Sequence, residues 1–557
     1  MIFLGYQSHG QLARVLPGNI NQLSHNQVYP AVSGDGKIMF FMSDYSDDGA
    51  FTMMTSKYRA GKWQDPQDAQ VIGSSKVNNW GGYSLNYDGT KLYFSSRRSE
   101  GIGKFDIWYS SLVDGEWSRP KNIGKPINSA GNEGNPSVSP DGQRIYFMKC
   151  ESMSTENLGG CKLYYSEQGV RGWQEAVELP DYLNIGNSTS PRILADNKTL
   201  VFASDRPGGK GGIDLWMTKR TGDHWSEPMN IEAVNTPEND LFLSATMRSI
   251  AYITTTTDNG KRAIAELRLP ENFRLENMII RQGTIKDEEG NNLAAEVRAF
   301  NLDEQTYEVR MRTSTATGRY IMILPGGAKY DVSYNEIRLN KLYASELVDA
   351  TELSAPRREY PNLTLLDLKE DLSFPLNVFG FKEFTSQVDE NSAHELARLT
   401  RLLKQYPELN IEIAAYQNNY LEDPAFTNED LTEIRVDTII AYEPAIRVDK
   451  MMSDQKDSLI FVLNEMLSET VLDTVLANTY LARMSAKDSI PVEQFVSTYH
   501  NDRTVAQAEA VRASLVEGGI EEGRLQIIGH RDDYPPVEFP DGKERMIVIR
   551  FLNDPQN

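Results

Sequence analysis

Apolar and polar residues alternate in short runs along the first half of the chain, and one such run recurs. The segments VSGDGKIMFFMSD, LNYDGTKLYFSSR, VSPDGQRIYFMKC and ILADNKTLVFASD align with Asp35, Asp88, Asp141 and Asp196 at a turn, and a degenerate copy, SATMRSIAYITT, begins at Ser244. The period is roughly fifty residues, in the range of units built from four strands. Asp-Gly ahead of an alternating run predicts a tight hairpin, because Gly accepts positive φ and Asp caps its own turn. A second marker recurs with the first. Each repeat follows a linker ending in Asn: Asn21, Asn78, Asn128, Asn184 and Asn235. Four linkers follow a tryptophan (Trp63, Trp117, Trp173, Trp225), predicted to pack between repeats. The first linker lacks one because it opens the chain. That predicts a closed ring of five units in which the segment near Leu12–Leu16 completes the last.

The repeats SPDGQRIYF and SDRPGGKGGIDLWMT resemble those of TolB-type (WD40-like) β-propellers. The resemblance implies an all-β, five-bladed propeller over residues 12–272 that binds proteins or peptides on one ring face.

From Asn277 the pattern changes. A strand, a turn at Asp287–Asn292 and a second strand are followed by TSTATGRYIMILPGGAKYDVSYN. Gly283, Asp287, Gly290, Leu293, Gly318 and Tyr320 match the carboxypeptidase-regulatory-like β-sandwich, a spacer without chemistry. It is assigned to 276–355, and SAPRREYPN opens a linker over 356–372.

The last part alternates helix and strand. Leu396, Leu399, Leu402, Leu403 and Tyr406 recur at helical spacing before Pro407, and Val505, Ala508, Val511 and Leu515 form a second apolar face ended by Gly518 and Gly519. The β–α–β…α–β order, GGIEEGRLQIIGH and the closing ERMIVIRF resemble the OmpA-like peptidoglycan-binding domain, assigned to 373–557 with α+β fold. That family pairs an Asp and an Arg with the ammonium and carboxylate of a peptidoglycan diamino acid. Here Asn418 stands at the Asp position and Gln507 at the Arg position, so both charge-assisted bonds are lost. Arg503, a turn before Gln507, either restores a cation or is simply exposed. An insertion over about 421–498 contains a predicted long helix with an apolar stripe: Leu459, Val462, Leu463, Met466, Leu467, Val471, Leu472, Val475 and Leu476. Such a stripe either packs on its own domain or docks a partner.

Composition narrows the function. A length of 557 residues asks for about three domains, and a net charge of −22 speaks against a nucleic-acid partner. No apolar run is long enough for a transmembrane helix. Cys150 and Cys161 flank a polar hairpin loop, so they form a cross-strand disulfide in an oxidising compartment or remain two thiols in a reducing one. The opening MIFLGYQSHGQLA reads as the tail of a truncated secretory signal. No Cys/His spacing suggests a metal, and the six histidines are scattered. DYSDDG from Asp44 begins like a calcium loop, but Thr55 occupies the position of the bidentate acid. GGKGG around Lys210 lacks the GKS/GKT of a phosphate loop and reads as a turn. There is no Gly-x-Ser-x-Gly elbow.

The expectation is a non-enzymatic, cofactor-free, multidomain protein of the periplasm, associated with the outer membrane. Its propeller would hold an outer-membrane or secretion-system protein while the OmpA-like domain meets peptidoglycan. The domain order resembles PorE-type accessory proteins of type IX secretion, which also carry helical repeats and a lipid-anchored Cys that this chain lacks. Two alternatives stand beside it: an interaction module that has lost wall binding, and a propeller hydrolase with paired channel acids.

Overall fold

The computed structural model describes residues 13–45, 50–69, 71, 82–153, 158–169, 172–338, 340–382, 385–417, 433–446, 451, 453–467, 471–486, 489–500, 503–530, 535–539 and 545–554. Two compact units divide the chain at Asp367/Leu368.

The first unit is all β. Among the described residues, five propeller-like antiparallel sheets follow one another, four with five strands and the last with four, each built on a meander. In the first sheet Gln27–Val32, Ile38–Ser43 and Thr52–Arg59 pair in turn, and Lys62–Trp63 and Gln67–Asp68 share the outer edge. The inner strands of the second to fifth sheets contain Tyr83–Leu85, Asn132–Val138, Ser188–Ile193 and Leu243–Ala245. In the fifth sheet the outer place is taken by Arg14–Val15, which pairs with Arg262–Arg268, so the start of the chain closes the ring.

The recurring residues explain why the sheets hold together. Asn128 accepts from the Ile107 N–H and donates to the Ile107 carbonyl, both at 2.9 Å. Asn184 does the same to Leu163, and Asn235 to Leu215. One amide thus stands in for a missing strand residue at the buried edge of each third strand. Asn78 lies outside the described residues. The tryptophans pack backwards onto the preceding sheet: Trp63 on Tyr252, Trp117 on Phe40 and Trp225 on Tyr146, with centroids 5.6–6.0 Å apart. Trp173 joins Tyr93 and Ile107 in the same way.

Two antiparallel sheets follow. Met278–Lys286 pairs with Arg319–Pro325, and Ala295–Asn301 lies between Thr306–Arg312 and Lys329–Glu336. The segment 356–372, expected as a linker, instead supplies Arg357–Glu359 and Leu363–Thr364, which pair in parallel with Met278–Lys286. Pro356 hid these strands because its turn signal stands next to them in sequence. Met278, Ile280 and Ile323 share one core with Leu243, Ala251 and Leu267 of the fifth propeller sheet. Around that core, Arg319 meets Asp88 at 2.8 Å, Arg358 meets Asp35 at 3.6 Å and Lys198 meets Glu308 at 3.0 Å. The sandwich therefore sits on the ring face formed by the repeated hairpins.

The second unit has a sheet in the order Ser373–Pro375, Arg545–Phe551, Ile411–Gln417, Leu525–His530, with the last two parallel. Helices Ala393–Gln405 and Thr504–Glu517 bury Leu399, Leu402, Leu403, Ala508, Val511 and Leu515. Arg524 donates to the Leu403, Tyr406 and Leu409 carbonyls, satisfying the end of the first helix. The insertion differs from its expected form. It is a ribbon of Glu433–Glu443 with Ile490–His500 carrying two helices, Ser453–Met466 and Val471–Ser485, in place of one long helix. The apolar stripe is split as well. Leu463 is buried, whereas Val462 and Leu476 are exposed.

Candidate functional site

The sheet of the second unit brings polar side chains to one edge. Residues alternate across Ile411–Gln417, so Ile411, Ile413, Ala415 and Gln417 share a face. Ala415 pairs with Gly529, and a Cβ on Gly529 would lie 2.6 Å from the Thr504 Oγ1 and 2.7 Å from the Val505 nitrogen. That close approach requires glycine and seats the helix start directly on the face that carries Gln417. Strand and helix run in opposite senses, so the end of Ile411–Gln417 meets the beginning of Thr504–Glu517.

The chemistry of this edge is polar and dry. Gln417 is 2% exposed and neither atom of its amide has a partner, while Gln507 is 1% exposed with an unpartnered Nε2. A buried polar group without a partner costs about 1–3 kcal/mol, so such groups mark a candidate site for a ligand or water. Arg503 is the N-cap residue of the helix and is 8% exposed, which removes the alternative that it is merely a surface cation. Its carbonyl accepts the first intrahelical bond, from the Gln507 N–H at 2.8 Å. The N–H groups of the turn before that bond point towards the edge, where the helix dipole favours an anion. On the opposite face of the sheet Tyr416 and His530 stack at 4.5 Å with rings 4° from parallel, next to Ala414 and Val548. Gln417 carries no signal in the sequence, and the neighbouring Asn418, expected at the site, lies outside the described residues.

Other sequence candidates resolve as structure. Cys150 and Cys161 form a disulfide. The Asp44 carboxylate accepts from the Asn26 N–H at 2.6 Å and its side-chain amide at 2.7 Å, and Asp205 binds Asn187 alike. Asp44 is thus a repeated loop cap. Ser46 and Asp48 lie outside the described residues, among which no cluster of three or more metal-ligating side chains occurs. In the GGKGG turn the Lys210 and Gly211 N–H groups donate to Asp214 at 2.9 and 3.1 Å, so its own carboxylate fills the place of a phosphate. A small cavity of about 30 Å³ between the inner strands is lined by Tyr87, Arg192, Ser137, Ser244 and apolar residues.

No family model and no curated protein matches this chain. Among solved structures, it is similar to a putative TolB from Agrobacterium tumefaciens at 12% identity, covering 54% of this chain and 90% of that one with a TM-score of 0.27. TolB from Acinetobacter baumannii is similar at 15% identity over 53% and 65%, with a TM-score of 0.28. The α-L-arabinofuranosidase PaAbf62A from Podospora anserina is similar at 12% identity over 46% and 95%, with a TM-score of 0.29. These neighbours include a hydrolase as well as TolB, and no functional residue is carried over from any of them.

Proposed function

We propose that this protein is a non-enzymatic scaffold of the periplasm, in which a five-bladed propeller holds an envelope protein partner and the C-terminal OmpA-like unit binds peptidoglycan. The observation that carries the wall-binding half is the buried pair Gln417 and Gln507, of which the whole Gln417 amide and the Gln507 Nε2 lack partners, with Gln507 in the first turn of a helix. An amide N–H and the helix N–H groups suit the carboxylate of a peptide crosslink, and the amide oxygens suit its ammonium. The disulfide supports an exported protein, since such bonds persist in oxidising compartments. A role in type IX secretion rests on domain order alone.

Co-sedimentation of the protein with purified peptidoglycan tests the reading. Retained, weak binding is expected, strengthened about tenfold or more by Asn418→Asp with Gln507→Arg, because each charge-assisted bond contributes about 1.5–3 kcal/mol. Absence of binding before and after the double change overturns the wall-binding half and leaves an interaction module.

A further inference from the structure

The ring channel contains a charge that the described part of the fold does not neutralise. At one register of the inner strands, four sheets carry small residues: Ala31, Ser84, Ser137 and Ser244. Two of these stitch neighbouring sheets, Ser137 accepting from the Ile193 N–H at 3.1 Å and Ser244 from the Val32 N–H at 3.0 Å. The fourth sheet has Arg192 at this place. Its Nη2 donates to the Tyr83 carbonyl of the second sheet at 3.0 Å. The second and fourth sheets are not neighbours, so the side chain bars the channel. Arg192 also lines the central cavity of about 30 Å³, together with residues of all five sheets.

Burial lowers the Arg192 pKa to about 10, which leaves it charged at neutral pH. Among the described residues it makes no ion pair, and the Tyr83 carbonyl is its one side-chain hydrogen-bond partner. Arg192 is half-buried, and a guanidinium has five donors, so donors beyond the one on the Tyr83 carbonyl are left for a ligand in the channel. Such a cation, placed where the other sheets carry alanine or serine, suits an anion that enters the channel.

The direction of approach follows from the fold. The hairpin mouth is closed, as Tyr87 donates to the Met247 sulfur at 3.2 Å and Arg358 of the sandwich packs on both. At the opposite mouth, Tyr29, Asn135 and Ser190 hold φ values of 59°, 48° and 50° at one shared register. Asn135 is 6% exposed, and its Oδ1 lacks a partner. Non-glycine residues held in this region are strained and concentrate at ligand clamps.

We propose that this mouth binds the carboxylate at the end of an extended chain, with Arg192 as the anchor. The proposal deepens the propeller half of the scaffold reading and rests on it, while the wall-binding half can fail without affecting it. The test titrates the full-length protein calorimetrically with three probes: N-acetyl-Ala-Ala-Leu as free acid, the same peptide as C-terminal amide, and acetate. The free acid is expected to bind about tenfold or more tightly than the amide, and Arg192→Ser is expected to abolish the difference. Serine occupies this register in three other sheets, so the variant should fold, and the acid–amide comparison needs no variant. Acetate binding as tightly as the peptide would keep the anion site but assign it to small free carboxylates. Equal affinity for acid and amide, no binding of any probe, or an acid preference that survives Arg192→Ser overturns the proposal. If the ring still holds an envelope partner after such a result, the scaffold reading stands and only the channel site is lost.

Discussion

Asn21 and Ile264, 243 positions apart, exchange two hydrogen bonds of 2.8 Å through a single amide side chain. Asn21 also donates to the Leu16 carbonyl at 3.0 Å, so one buried residue ties the first linker to the last strand of the ring. Asn21→Ala would leave the Ile264 N–H buried and unpaired and take the amide from the Leu16 carbonyl, while the Ile264 carbonyl keeps the Leu16 N–H at 3.0 Å. A loss of about 2–4 kcal/mol is expected from urea denaturation. Deleting the residues before Asn21 should cost more, since it also removes the Arg14–Val15 strand and opens a sheet edge. An unchanged midpoint for either would mean that the ring does not depend on this clasp. Arg14→Ala, which removes only an exposed ion pair with Glu266, should change stability by less than about 1 kcal/mol.

The shared core of the first unit makes a second prediction. Ile280 of the sandwich is 1% exposed and packs among propeller residues such as Met247 and Leu269. Ile280→Ala is therefore expected to cost about 2–5 kcal/mol and to lower the unfolding temperature of ring and sandwich together, read by calorimetry on residues 1–367. Two separated transitions, with only the smaller one shifted, would show that the sandwich melts independently.

How much of this was legible in the sequence depends on whether a residue's partner is local. The Asp-Gly hairpins and the linker asparagines could be found because each acts within a repeat or on its neighbour, and repetition multiplies the signal. The partners of those asparagines could not: that Asn128 grips Ile107 depends on strand pairing, which no period reports. Arg192 was invisible for a related reason. A repeat alignment shows an arginine among alanine and serines, but only the packing of the sheets shows that it reaches the Tyr83 carbonyl across the channel. The inserted helices read as one because an apolar stripe has the same period on one helix as on two consecutive ones. Gln417 was missed because a buried amide at a strand end looks like any surface polar residue until the helix above it is placed.

Acid should weaken the second unit in a defined range. Burial, and secondarily the Arg398 cation a turn away, lower the His394 pKa below its ordinary value. The unfolded chain then takes up a proton more readily than the folded one, so stability is full above the unfolded value of about 6.5 and falls as pH drops through the folded pKa. His394→Gln removes this proton and should flatten the decline below about pH 6.5 in urea titrations of the full chain. A decline of the same slope in the variant would transfer the effect to other groups.

The disulfide gives the last prediction. Cys150 ends the second strand of the third sheet and Cys161 precedes its third strand, so the bond closes a loop of eleven positions. Within that loop Ser152–Met153 and Leu158–Gly159 form a small hairpin, and Met153 is buried against the sheet near Gly134. Cross-linking so short a loop restricts the unfolded chain by about 3 kcal/mol at most. Both sulfurs are buried in the core of the third and fourth sheets, where reduced thiols would still pack as small apolar groups. The double change Cys150→Ala with Cys161→Ala should therefore keep the fold, shown by an unchanged far-ultraviolet spectrum, and lower stability by about 1–3 kcal/mol. Protease cleavage between Glu151 and Gly160 should rise at the same time, because the loop loses its anchor while the ring stays closed through Asn21. Equal stability and equal cleavage with and without the bond would mean that Met153 and the hairpin hold this loop unaided.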